Sequence, residues 1–361
     1  MFKKALTVLL TLVLVFALIG CGGGETPATE GEEVQAEGET LPGEGKVVIM
    51  ITDTGGLGDK SFNDLAYAGL EQAAEELGFE LKILQSATED DYAPNIQTAL
   101  EDDPALVVCV GFMMEQATVD AAEENPDINF ALVDGEGDMD GDGNQDVDNL
   151  LGLKFKENEG SFLVGVAAGL TTETDKIGYI GGMEFPTIIV FESGFIAGVK
   201  SVNPDADVFV EYADSFGDIA KGKEIATAQY NKDADVIYHA AGGVGLGLFQ
   251  AATENDFWSI GVDADQALTS PENADNILCS MLKRVDTATY TAAKSAVEGT
   301  FEGQVQIFGL AEDGIGVGDG GENLTEELNA EIEKWKNAII EEQFTVPATR
   351  EEVDAFEVPE I

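Results

Sequence analysis

The stretch Thr52-Asp53-Thr54-Gly55-Gly56-Leu57-Gly58-Asp59-Lys60-Ser61-Phe62-Asn63 concentrates the residue types that build binding turns. Val47–Ile51 before it reads as a strand, and Phe62–Leu77 after it as a helix. Its glycines permit a sharp turn, Asp53 stands at the strand tip, and Ser61 is placed to cap the helix. Alone, such a turn is more often structural than functional. A second turn, Ala240-Ala241-Gly242-Gly243-Val244-Gly245-Leu246-Gly247, approaches a dinucleotide fingerprint but has Leu248 where the third glycine belongs. It leaves a glycine-lined helix N-terminus whose free N–H groups can donate to ligand oxygens. A third, Ile260-Gly261-Val262-Asp263-Ala264-Asp265-Gln266, puts Asp263 at another strand tip.

Catalytic patterns are missing from the sequence. His239, the single histidine, ends a strand beside Tyr238 and is expected to be packed or at a pocket rim. There is no GxSxG elbow, no HExxH, no CxxC pair and no GxxxxGK[ST]. Carboxylates are too abundant for any pair to signal acid–base work, so no catalytic residue and no cofactor is assigned. Asp138, Asp140, Asp142 and Gly143 match the opening of an EF-hand loop, but Asn149 replaces the bidentate Glu and no helical runs flank it. An acidic, solvated hairpin is the favoured reading, and no metal is assigned. Cys109 and Cys279 sit in apolar runs as buried thiols, with a disulfide between them left open.

The elements that must position these turns alternate. Strand-like runs at Val47–Ile51, Phe79–Leu84, Ala105–Val110, Phe130–Val133, Ile177–Ile180, Val208–Tyr212, Val236–His239, Trp258–Val262 and Ile277–Leu282 are separated by helix-period segments. Such alternation makes an α/β protein with parallel sheets covered on both faces, and the number of strands favours two lobes over one wide sheet. Ligands then bind outside the carboxyl ends of strands, where all three turns lie.

Charge and the N-terminus bound the setting. The 361 residues carry 70 Asp+Glu against 18 Lys+Arg, a formal charge of −52, with 44% hydrophobic residues. The apolar share supports a packed core, while the charge repels nucleic acid and anionic membrane surfaces. Repulsion on that scale reads as adaptation to concentrated salt, which screens it. Lys3 and Lys4 precede the apolar run Ala5–Ile19, and Leu18-Ile19-Gly20-Cys21 resembles a bacterial lipobox. Residues 1–20 are therefore expected to be a lipoprotein signal peptide with Cys21 lipidated, and 21–45 a Gly- and Glu-rich disordered tether. No other stretch is long and apolar enough to span a membrane.

Asp53 through Asn63, the Ala240–Gly247 turn and Ile260–Gln266 occur in the order and with the intervals of the basic membrane protein (Bmp) family, substrate-binding lipoproteins that include purine nucleoside receptors. Gly160-Ser161-Phe162-Leu163-Val164-Gly165 and Ser215-Phe216-Gly217-Asp218 are also similar to its pattern. The resemblance covers about residues 46–308. It implies two Rossmann-like lobes joined by a hinge, in the type I periplasmic-binding-protein architecture, serving an ABC importer. Lobe 1 is expected over 46–172 plus about 280–300, lobe 2 over 173–279 plus about 301–345, and a loosely held tail over 346–361. By the same resemblance Phe62 and Phe216 sandwich a base, and Asp263 and Lys283 hold ribose hydroxyls with help from the backbone at Gly242. Asp53 and Asp134 read base or sugar edges. The implied partners are a nucleoside, an ABC permease and, through the lipid anchor alone, the outer face of the cell membrane. A simple sugar as ligand, a nucleoside-cleaving enzyme and a sensor subunit for a signalling receptor are the alternatives.

Overall fold

Strands rich in Val, Ile and Leu are shielded on both faces when helices cover a parallel sheet. The computed structural model describes residues 40–361; the signal-peptide segment and residues 21–39 of the expected tether, Cys21 included, lie outside the described residues. The end of that tether is ordered rather than disordered, Gly43 being buried with its N–H donating to Leu77 O at 2.8 Å. Strands β1 (Val47–Ile51), β2 (Glu80–Leu84), β3 (Leu106–Val110), β4 (Phe130–Val133), β5 (Leu150–Phe155) and β11 (Gln304–Phe308) form one sheet in the order β11-β5-β4-β3-β1-β2. A second contains β6 (Lys176–Gly181), β7 (Asp207–Tyr212), β8 (Val236–Ala240), β9 (Trp258–Asp263), β10 (Ile277–Lys283) and β12 (Ile315–Gly318), ordered β12-β10-β9-β8-β6-β7. β12 runs antiparallel to β10; the other pairings are parallel. Without the edge strands β11 and β12, both sheets have the same 2-1-3-4-5 order. Each thus has a switch point beside its first strand, between β1 and β3 and between β6 and β8. The α/β, two-sheet architecture agrees with the sequence reading.

Helices α1 (Phe62–Leu77), α2 (Tyr92–Leu100) and α3 (Glu115–Glu124) follow strands of the first sheet, and α5 (Pro186–Val202), α6 (Ile219–Tyr230), α7 (Gly245–Asn255) and the short α8 (Gln266–Thr269) follow strands of the second. Two helices change sides. α4 (Glu157–Thr171) leaves the first sheet but packs on α5 and β10, and α9 (Val285–Glu298) leaves the second but packs on α1. With the β11–β12 link this gives three adjacent crossings between lobes. They are tied together by Lys156 N–H to Phe308 O and Arg284 N–H to Gly314 O, each 2.9 Å.

These crossings correct the expected boundaries. β11 (304–308) belongs to the first sheet, not the second lobe; all of β10, including 280–283, belongs to the second sheet; α4 packs with the second lobe although it precedes residue 172. The α4–α5 contact explains the glycines around Ser161. A Cβ at Gly165 would lie 2.3 Å from Phe195 O, and one at Gly194 2.2 Å from Asn158 O, so the helices approach at backbone distance.

Residues 346–361 are not a loose tail through their first half. Val346 and Val353 are buried, and Thr349 forms a capping box with Glu352 at the start of α11 (Arg350–Ala355). Arg350 grips the buried Glu192 with two bonds of 2.7 and 2.8 Å and reaches Glu184 at 2.6 Å. α10 (Glu326–Ile340) buries Trp335 against Phe162.

Candidate functional site

Both sets of strand tips open onto one cavity of about 530 Å³, partly continuous with solvent. The first lobe contributes Asp53 after β1, Phe62 and Asn63 on α1, Phe112 after β3 and Asp134 after β4. The second contributes Ile188 and Phe191 on α5, Phe216 after β7, Ala240 at the end of β8 with Ala241 and Gly242 after it, Asp263 on β9 and Lys283 on β10. The seven residues singled out in the sequence (Asp53, Phe62, Asp134, Phe216, Gly242, Asp263 and Lys283) all line this cavity.

The first turn is built around two buried carboxylates. Asp53 Oδ1 accepts from Asn63 Nδ2 at 2.7 Å and from Gly55 N–H at 2.8 Å, and Asp53 N–H donates back to Asn63 Oδ1 at 3.3 Å. Burial outweighs these bonds and pushes the Asp53 carboxyl up to about 6. Asp59 accepts from the N–H groups of Ser61 (3.0 Å), Asn63 (2.9 Å) and Asp64 (3.2 Å). Asp59 therefore caps α1. Ser61, expected as the cap, makes no capping bond and turns its hydroxyl across the cleft to Asp263.

Asp134 and Asp263 have φ of 67° and 64°, left-handed values uncommon for residues with a side chain. Such backbone strain concentrates at functional sites. Burial pushes the Asp263 carboxyl up to about 7 against the pull of Lys283 and the Ser61 hydroxyl. Lys283 is 1% exposed, with its ammonium 2.7 Å from Asp134 Oδ2 and 3.2 Å from Glu157 Oε1. Burial opposes its charge, but Asp134, Glu157 and Asp263 outweigh that and keep it cationic. Its Nζ lies 5.1 Å from the Phe62 ring centroid, 4.9 Å from Phe155 and 5.4 Å from Phe191, within cation–π range. Glu157 carries a raised pKa because its burial exceeds the help from Lys283. One ammonium thus serves several carboxylates, and the cavity accepts more hydrogen bonds than it donates.

The aromatic walls are fixed by backbone. Phe216 lies against Gly182, where a Cβ would come within 2.2 Å of the ring, and meets Phe112 edge-on at 6.4 Å. Gly242 has φ of 53° and keeps its backbone close beneath Phe216 O, where a Cβ would sit 3.1 Å away. The neighbouring glycines serve packing: a Cβ at Gly245 would strike the His239 ring at 2.0 Å. His239 is fully buried and is not among the cavity-lining residues.

Sequence reasoning missed Asn63, Phe112, Ile188 and Phe191 in the wall and Glu157 behind Lys283. Phe112 could have been found, because Gly111 follows an apolar run at a strand tip. Asn149, in the place of the EF-hand glutamate, donates from Nδ2 to the carbonyls of Ala122, Asn125 and Ile128 and thus plugs the first lobe. The carboxylates of Asp138, Asp140 and Asp142 come within 4.8 Å of one another and accept backbone N–H groups of their own loop. Cys109 and Cys279 are both free and buried, in different sheets. Among the described residues no helix is long and apolar enough to cross a membrane.

Comparison with known proteins places this geometry. Residues 46–350 match the model of the Bmp family, described as ABC transporter substrate-binding protein PnrA-like. A CD4+ T-cell-stimulating antigen of Listeria innocua is 36% identical, with 96% of this chain and 99% of that protein covered. The ABC transporter nucleoside-binding protein BmpA of Lactococcus lactis is 35% identical over 94% of this chain and 97% of its own. A solved ABC transporter solute-binding protein from Aeropyrum pernix K1 superposes with a TM-score of 0.75 at 28% identity, covering 86% and 96% of the two chains. Because that family model matches residues 46–350, most of the chain and both lobes, the chain belongs to the Bmp family of PnrA-like ABC transporter substrate-binding proteins.

Proposed function

We propose that the protein captures a purine nucleoside outside the cell and delivers it to the permease of an ABC importer. The observation that carries this reading is the pairing of two aromatic rings, Phe62 and Phe216, from opposite lobes with the carboxylate of Asp263 and the ammonium of Lys283 in one cavity. A base offers π faces that stack on aromatics for ~1–3 kcal/mol. A vicinal diol donates to a carboxylate and accepts from an ammonium. Asp53, with Oδ1 engaged by Asn63 and Gly55, keeps Oδ2 for an N–H of the base edge; Asp134 orients Lys283. The nucleoside-binding relative in Lactococcus supports the same ligand class. A ligand touching both lobes favours their closure, because its contacts are complete only then. The lobes rotate about the three crossings near residues 156, 284 and 309–314. Cys21 carries a lipid, and the acidic tether holds the folded part some tens of ångströms off the outer face of the membrane.

As a carrier, the protein is expected to release its ligand unchanged. Incubating the protein with inosine, followed by chromatography of bound and released material, tests this. Stoichiometric, intact inosine is expected. Accumulating hypoxanthine and ribose would make the protein a hydrolase, and no retention would remove the nucleoside reading.

A further inference from the structure

The run Asp263-Ala264-Asp265-Gln266 ends in a residue that the cavity does not use. Gln266 is fully buried and does not line the cavity, yet its amide is engaged at both ends. Its Oε1 faces the Val262 N–H at 2.8 Å and His239 Nε2 at 2.9 Å, and its Nε2 donates to the carbonyl of Lys60 at 3.2 Å. Because the Val262 amide can only donate, Oε1 must be the acceptor there, and the –NH₂ is directed at the first lobe. Burial holds His239 neutral, its pKa pushed down to about 4, so its Nε2 carries the proton that faces Oε1. The Gln266 N–H donates to Ser280 Oγ at 3.0 Å, which anchors the residue to the second sheet.

Lys60 belongs to the other lobe. Its φ of 53° is unusual for a residue with a side chain, and its carbonyl receives a second donor from the second lobe, Thr269 Oγ1 at 3.3 Å. Its ammonium reaches Glu272 at 2.9 Å, but both partners are solvent-exposed and such a pair contributes little. We propose that Gln266 is a positioning residue for closure: it latches the Lys60 loop of the first lobe onto the second and sets the closed fraction without touching ligand. This rests on the cavity being the ligand site, whatever the ligand. Apparent affinity scales with the fraction of molecules in the binding-competent state, so loss of the latch weakens every ligand alike.

The test compares wild type with Gln266→Met, which keeps the length of the side chain but not its donor, and with Thr269→Val at an exposed position. Small-angle scattering of the ligand-free protein should give a larger radius of gyration for Gln266→Met. Affinities for inosine, adenosine and any other ligand that binds should fall by a common factor of about 3–10, the worth of one net hydrogen bond, through faster release. Thr269→Val should shift both readings the same way by less; if Gln266→Met fails to fold, that shift alone supports the latch and its absence overturns it. Unchanged scattering and affinity would overturn the proposal, as would a changed order of preference among ligands, which would make Gln266 a ligand contact. The scattering needs no ligand, so a wrong nucleoside assignment leaves that result standing.

Discussion

Raising the pH from 6 to 8 should tighten nucleoside binding about twentyfold. The carboxyl of Asp263 is raised from 3.8 to about 7 and that of Asp53 to about 6, in both cases chiefly by burial. A ribose hydroxyl or base N–H donates to a carboxylate, whereas a carboxylic acid brings a competing proton. With these pKa values the ionised fraction of Asp263 rises from ~0.1 to ~0.9 and that of Asp53 from ~0.5 to ~1, giving factors of about ten and about two. Binding near pH 6 must then release about 1.4 protons, falling almost to none by pH 8. Calorimetric titrations in buffers of different ionisation heat measure both quantities. Affinity independent of pH, or proton uptake on binding, would refute the assignment of these carboxylates as acceptors. The ligand-free protein should behave oppositely. Both groups hold protons in the folded state at pH values where the unfolded chain has lost them, so their contribution to stability falls as pH rises through about 4–7.

Phe62→Ala and Phe216→Ala should each weaken nucleoside binding by about 1–3 kcal/mol, read by titration, while leaving any binding of free ribose unchanged. Lys283→Met should lower unfolding stability by about 3–5 kcal/mol in urea melts, because Asp134 and Glu157 are left buried without their cation. Adding Glu157→Gln to Lys283→Met should recover part of that loss. With a formal charge of −52, the thermal midpoint should climb steadily from about 0.1 to about 3 M salt. A flat or falling curve would contradict adaptation to concentrated salt.

What the sequence revealed and what it hid divide along the range of the interactions. Val47–Ile51 and Leu106–Val110 were readable as strands because burial on both faces demands continuous apolar runs. Asp53 and Asp263 were readable as strand-tip residues because those runs end beside them. The edge strands β11 and β12 were not, since Gln304, Gln306, Gly316 and Gly318 carry no strong strand signal. The side taken by α4 and α9 depends on long-range packing, and so does the pairing of Glu157 with Lys283 from a segment over a hundred residues away. Arg350 was hidden for the same reason: nothing near it in the chain announces the buried Glu192 that draws the C-terminal segment onto α5. Ser61 was misread because a serine before a helix is usually its cap, whereas here Asp59 supplies that bond and frees the hydroxyl for the opposite lobe.

The central claim, that the cavity holds a base between two lobes and a ribose against Asp263 and Lys283, is tested most directly by titrating the protein calorimetrically with inosine, free ribose and inosine 5′-phosphate. The account predicts one-to-one binding of inosine. Ribose should bind far more weakly for want of a stacked base, and the phosphate ester should be rejected by a cavity whose one ammonium is already shared among carboxylates. Ribose binding as tightly as inosine would contradict the account and make the protein a sugar receptor on the same fold.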